Sequence, residues 1–166
     1  MSLSQDIKAL GGARAPAALG HRTVRRGTGD LAAVALVPLF NVLGGDILLT
    51  ALYGRVTTAM AAANTLIQLH HTPAIGLAQV DLCAIIGAHI GADIAGTIYS
   101  ITGDHTVALA TDATFEGVAV GSFGTNLDIL VPGVISMDVT AFGNTGVIEW
   151  VLHWIPLNPL SRVTVG

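Results

Sequence analysis

Residues 132–156 read PGVISMDVTAFGNTGVIEWVLHWIP, and the fold class turns on them. After the Pro132-Gly133 turn, Ile135, Met137 and Val139 alternate with Ser136, Asp138 and Thr140. Successive side chains of a strand point to opposite faces, so this period of two marks a half-buried strand. Asn144-Thr145-Gly146 signals another turn. Residues 147–155 then set Ile148, Trp150, Leu152 and Trp154 on one face, with Glu149 and His153 on the other. Pro156 and Pro159 should stop this final strand, because proline has no N–H to give to the ladder. Trp150 and Trp154 are read as core or oligomer interface, since large aromatics dominate buried area.

The same signals recur upstream. Residues 31–42 form an apolar run rich in Val and Leu, Gly44-Gly45 reads as a hairpin turn, and residues 47–53 follow. Gly54 reads as a second boundary before residues 55–60, which together predicts an antiparallel meander. Residues 59–69 are expected to continue as an extended strand through the alanines. Residues 95–101 (AGTIYSI) are β-branched and aromatic and close at Thr102-Gly103-Asp104. Residues 118–123 and 127–131 are short strand candidates on either side of Gly124 and Asn126. About eight short strands with Gly-rich turns predict an all-β chain, an antiparallel β-sandwich or β-barrel.

Charge divides the chain into a basic tail and an acidic body. Residues 1–29 hold Lys8, Arg14, Arg22, Arg25 and Arg26 against Asp6, whereas residues 30–166 hold Arg55 and Arg162 against ten acids. The tail mixes Gly, Ala, Pro and Arg without an aromatic, a composition that cannot bury enough apolar surface to order alone. It is read as an extended N-terminal arm, residues 1–29, before a β-rich domain over residues 30–166. With 166 residues, the chain is sized for one domain that buries roughly 70% of its unfolded surface.

Composition points to partners. Charged residues make up 11% and apolar residues 52%, against roughly 25% charge in an ordinary soluble domain. A lone globule of this composition would cover much of its surface with uncharged groups. The longest uncharged stretch, residues 56–80, carries Asn64, Gln68, His70, His71, Pro73 and Gln79, which is too polar for a spanning helix. No signal-peptide pattern is seen at the start, and the single Cys83 can form no intrachain disulfide, so synthesis in a host cytoplasm is expected. That leaves other protein surfaces as the destination for the apolar face.

Catalytic chemistry finds little support. Glu149 and His153 lie on one strand face but about 13 Å apart at the usual rise, too far to share a proton. His70 and His71 are adjacent and so face opposite ways. Asp81, His89, Asp93, Asp104 and His105 are the densest set of oxygen and imidazole donors, without a recognised ligand spacing. A metal-dependent hydrolase built on Asp81, His89, Asp93 and Asp104 is the weakest alternative. Cys83 sits between Leu82 and Ala84 and reads as a buried, inert thiol. No catalytic residue, metal ligand or cofactor is expected. Nucleic-acid binding is not expected either, because the tail lacks stacking aromatics and the acidic body would repel phosphates. An acidic protein surface explains Arg14, Arg22, Arg25 and Arg26 without that conflict.

Three stretches carry a resemblance: Val37-Pro38-Leu39-Phe40-Asn41-Val42 with Gly44-Gly45 and Thr50-Ala51-Leu52-Tyr53-Gly54-Arg55; Gly96-Thr97-Ile98-Tyr99-Ser100-Ile101; and Asn144-Thr145-Gly146-Val147-Ile148-Glu149-Trp150 with Trp154-Ile155-Pro156. Over residues 35–160 the chain resembles small virion structural proteins of tailed bacteriophages. The resemblance implies a capsid decoration, or cement, protein: a β-rich homo-oligomer, typically a trimer, on the head exterior. It implies binding to the major capsid protein and to neighbouring copies. The alternative within the same class is a tail or head-tail junction component.

Overall fold

The computed structural model describes residues 22–28, 31, 35–61, 64–76, 78–87, 89–111, 127–140 and 145–166. Eleven strands are present among them: β1 (Arg22–Gly27), β2 (Ala35–Leu43), β3 (Ile47–Thr58), β4 (Leu66–Pro73), β5 (Val80–Asp81), β6 (Ile98–Ser100), β7 (Ala110–Thr111), β8 (Asp128–Leu130), β9 (Gly133–Thr140), β10 (Val147–Pro156) and β11 (Arg162–Val165). They form two antiparallel sheets, ordered β1-β10-β3-β6-β7 with β8 added to β3, and β11-β2-β9-β4-β5. Of the two expected architectures, this is the sandwich.

Both decisive strands keep their period of two. In β9, Ile135, Met137 and Val139 are fully buried and Val134, Asp138 and Thr140 are partly exposed, but Ser136, expected on the exposed face, is only 3% exposed where it pairs with His70. In β10, Ile148, Trp150, Leu152 and Trp154 turn inward and are at most 3% exposed. The tryptophans therefore belong to the core within one chain.

Gly54 does not end a strand. It lies inside the twelve-residue β3, directly opposite Trp150 in the β3–β10 pairing. A Cβ there would come within 2.7 Å of Ile148 Cγ2 and 2.9 Å of Trp150 Cε3, so the missing side chain makes room for the indole.

Gly44-Gly45 is likewise no hairpin turn. β2 pairs with β9 and β11 in one sheet, whereas β3 pairs with β10 in the other, so the glycines form a corner between layers. A second corner, residues 157–161, carries the chain from β10 back to β11 beside the first. The two are tied at Asp46, whose carbonyl accepts from Leu157 N–H at 3.0 Å and from Ser161 Oγ–H at 2.7 Å.

Other boundaries shift for similar reasons. The strand expected through the alanines starts only at Leu66; residues 59–61 lie outside any strand, and Ala62 and Ala63 lie outside the described residues. The AGTIYSI strand contracts to β6, and residues 127–131 to β8. The candidate at 118–123 lies outside the described residues. β10 is not the last strand, because β11 follows it and pairs with β2.

The arm boundary also moves. Residues 22–27, assigned to an extended arm, form β1 and pair with β10 from Arg22↔Trp154 to Gly27↔Glu149. The free edge of β10 supplies the backbone partners that this Arg-rich segment cannot supply itself. Lys8 and Arg14 lie outside the described residues.

One open side of the sandwich is plugged by residues 82–90. Leu82 and Ile86 donate backbone N–H bonds to Leu69 and Ile67 of the second sheet, Ile90 donates to Thr65 just before it, and Ala84 donates to Val107 beside the first. Their apolar side chains, with Cys83, complete the core. On the opposite side β1 and β11, the edge strands of the two sheets, approach each other.

Candidate functional site

β4 carries two buried histidines with different surroundings. His71, on the inner face with Ile67 and Leu69, donates from Nε2–H to the Val131 carbonyl at 3.1 Å. Burial pushes its pKa below 6.5, and the carbonyl bond pulls it partly back. A depressed imidazole pKa means that the unfolded chain takes up the proton first as pH falls. Stability should therefore decline as pH drops from 6.5 through the lower folded-state value. His71→Gln, which keeps a donor for Val131, should flatten this decline. Urea midpoints at pH 7.5 and 5.5 for both proteins check it, and equal pH slopes would remove His71 as the cause.

His70 lies on the outer face and is nevertheless only 5% exposed. Its Nδ1 meets Asp81 Oδ1 at 2.9 Å across the β4–β5 hairpin, and its Nε2 points to Asp138 Oδ2 of β9 at 4.0 Å. Ser136 is directly opposite His70 in the β4–β9 register. Gln68, two residues before His70, donates to the Cys83 carbonyl at 2.9 Å. Three strands thus bring one imidazole and two carboxylates together on one sheet face.

Cys83 behaves as its apolar neighbours suggest. It is fully buried, its Sγ accepts from Leu69 N–H at 3.3 Å, and burial pushes the thiol up to about 11. At neutral pH it is a protonated thiol, not a nucleophile.

The remaining donors expected from the sequence are dispersed. Asp93 accepts a short hydrogen bond from the Tyr99 hydroxyl; burial raises the pKa of both groups. Asp104 caps its own turn by accepting from Thr106 N–H and Oγ1–H, which lower its pKa. His105 meets Asp128 at 3.0 Å, and His89 is exposed. Among the described residues, no group of three or more His, Cys, Asp or Glu is arranged to hold a metal ion. The Asp81, His89, Asp93 and Asp104 set is not gathered into one centre.

The arginines assigned to a partner are divided too. Arg22, Arg25 and Arg26 all lie in β1, and Arg26 is opposite Trp150 on the inner face. Arg26 Nε and Trp150 Nε1 are buried donors without a hydrogen-bond partner among the described residues. On the outer face of the other edge of this sheet, Ile155, Leu48 and Ile129 lie side by side across β10, β3 and β8. Ile129 is 62% exposed, and apolar side chains also stand out at Ile75 in the β4–β5 turn and Leu160 in the second corner. Among the described residues, no helix is long and apolar enough to cross a membrane. No family model, curated protein or solved structure matches this chain.

Proposed function

We propose that the chain is a non-enzymatic virion structural protein, a capsid decoration (cement) protein that binds the major capsid protein and its own neighbouring copies on the head exterior. The observation that carries this reading is a sparsely charged sandwich that keeps large apolar side chains exposed on its ends and outer face, with Ile75, Ile129 and Leu160 each more than 60% exposed. Exposed apolar patches mark protein contacts. Repeated around a shell, contacts of roughly 800 Å² per partner gain strength from multivalency instead of from one tight bond.

The phage-like stretches around residues 37–55, 96–101 and 144–156 support the virion assignment. Residues 1–20, including Arg14, precede β1 and are assigned to the capsid contact. Deleting residues 2–20 should abolish occupancy on purified heads and leave the unfolding midpoint of the sandwich unchanged. Unchanged occupancy would remove the arm from the account. Copy number in purified particles tests the function itself. Hundreds of copies are expected for a shell protein, one or two small rings would assign it to the tail or the head-tail junction, and absence from particles would overturn the proposal.

A further inference from the structure

His70 has one satisfied nitrogen and one that is not. Its side chain is 94% buried by its 6% relative exposure. Nδ1 is engaged by Asp81 at 2.9 Å, while Nε2 has no hydrogen-bond partner among the described residues. A carboxylate accepts only, so the Asp81 contact places a proton on Nδ1, and in the neutral ring Nε2 then carries a lone pair. A buried acceptor without a partner is costly unless something binds it. Aimed at that lone pair is the Asp138 carboxylate, 4.0 Å away. With the ring neutral, two electron-rich atoms face each other across this gap, an arrangement that a bound cation stabilises.

We infer that His70 Nε2 and Asp138 Oδ2 are two ligands of a divalent-cation site, with Asp81 as the carboxylate that orients the imidazole. Metal-bound histidines almost always donate their other N–H to a carboxylate or carbonyl, which fixes the tautomer. Bond lengths of about 2.0–2.2 Å at a tetrahedral angle put the two donor atoms about 3.4 Å apart. The observed 4.0 Å closes to that by a small rotation of Asp138, whose side chain is 35% exposed. Two protein ligands leave the remaining coordination positions to water. One imidazole with one carboxylate suits Zn²⁺ or Ni²⁺ and not Mg²⁺ or Ca²⁺, which demand oxygen ligands. With two protein ligands the site is a weak one, and its role is to tie β4 to β9 on the outer sheet face.

The test is a titration of the chelator-treated full-length chain with Zn²⁺, Ni²⁺ and Mg²⁺ at pH 7, read by calorimetry and by the thermal midpoint. One equivalent of Zn²⁺ should bind. At twentyfold excess over the dissociation constant the midpoint should rise by about 4 °C, and Mg²⁺ should leave it unmoved. His70→Gln and Asp138→Asn should abolish binding. Asp81→Asn should weaken it about 10- to 100-fold, and His105→Gln should change nothing. The nitrogen-15 shift of His70 Nε2 in the unmutated protein gives a readout that no folding defect can mimic, and it should move on adding Zn²⁺. An unmoved His70 Nε2 resonance, or binding that survives His70→Gln, would overturn the site and leave the capsid reading untouched.

Discussion

Replacing Trp150 by Ala should lower stability by about 3–5 kcal/mol, the range for deleting a buried aromatic. In a chain of this size that is a fall of roughly 10–15 °C in the unfolding midpoint. The indole is 0% exposed and lies between β1 and β3, in the gap left by Gly54. Its removal empties the centre of the first sheet's inner face, and the rigid strand pairs on either side cannot close the void. Trp150→Phe should cost clearly less than the alanine change, because it leaves a smaller cavity. It keeps an aromatic ring and also removes Nε1–H, a buried donor that has no acceptor among the described residues. Thermal unfolding of both variants checks the argument. An alanine variant within 1 °C of the parent would place Trp150 outside the core.

Replacing Gly44 by Ala should be nearly as damaging, for a different reason. Gly44 adopts φ +76°, and a Cβ there would lie 2.2 Å from the Leu160 carbonyl oxygen. The oxygen belongs to the backbone of the second corner. That corner is held by Leu160 N–H donating to Asn158 Oδ1 at 2.9 Å and by the Asp46 contacts of Leu157 and Ser161, so it cannot yield cheaply. Gly76 provides the control, because it has a φ of +75° with nothing within 4 Å of the added atom. Gly76→Ala should cost only the left-handed penalty of about 1–2 kcal/mol. Gly44→Ala should cost that plus the clash, about 3–4 kcal/mol in all. Chemical denaturation of the two variants separates conformational strain from packing. Equal losses would mean that the two corners do not bear on each other.

Much of the candidate site was legible only in fragments. Adjacent residues on a strand face opposite ways, which separates His70 from His71, and this holds: one turns to the core, the other outward. What brings Asp81 to His70 is a hairpin whose turn was not read, and what brings Asp138 is the β4–β9 register, in which Gln68 pairs with Asp138. The period of two in β9 puts Asp138 on the outward face, where it lies. No local pattern says which neighbour it will meet there. Asp93 and Asp104, nominated for the same kind of chemistry, instead answer to Tyr99 and Thr106.

Alternation in the chain is enough to make it all-β, to give β9 and β10 each an apolar inner face, and to put Trp150 and Trp154 on the same side. Alternation is a local property, fixed by the geometry of one strand and the partition of its side chains between water and core. Long-range packing is what makes Gly44-Gly45 a junction between two sheets, Gly54 a socket for an indole, and the Arg22–Gly27 segment a strand. A glycine pair bends a chain equally well within a sheet or between sheets, and any free strand edge can satisfy a backbone. Which edge does so depends on contacts between residues far apart in the chain.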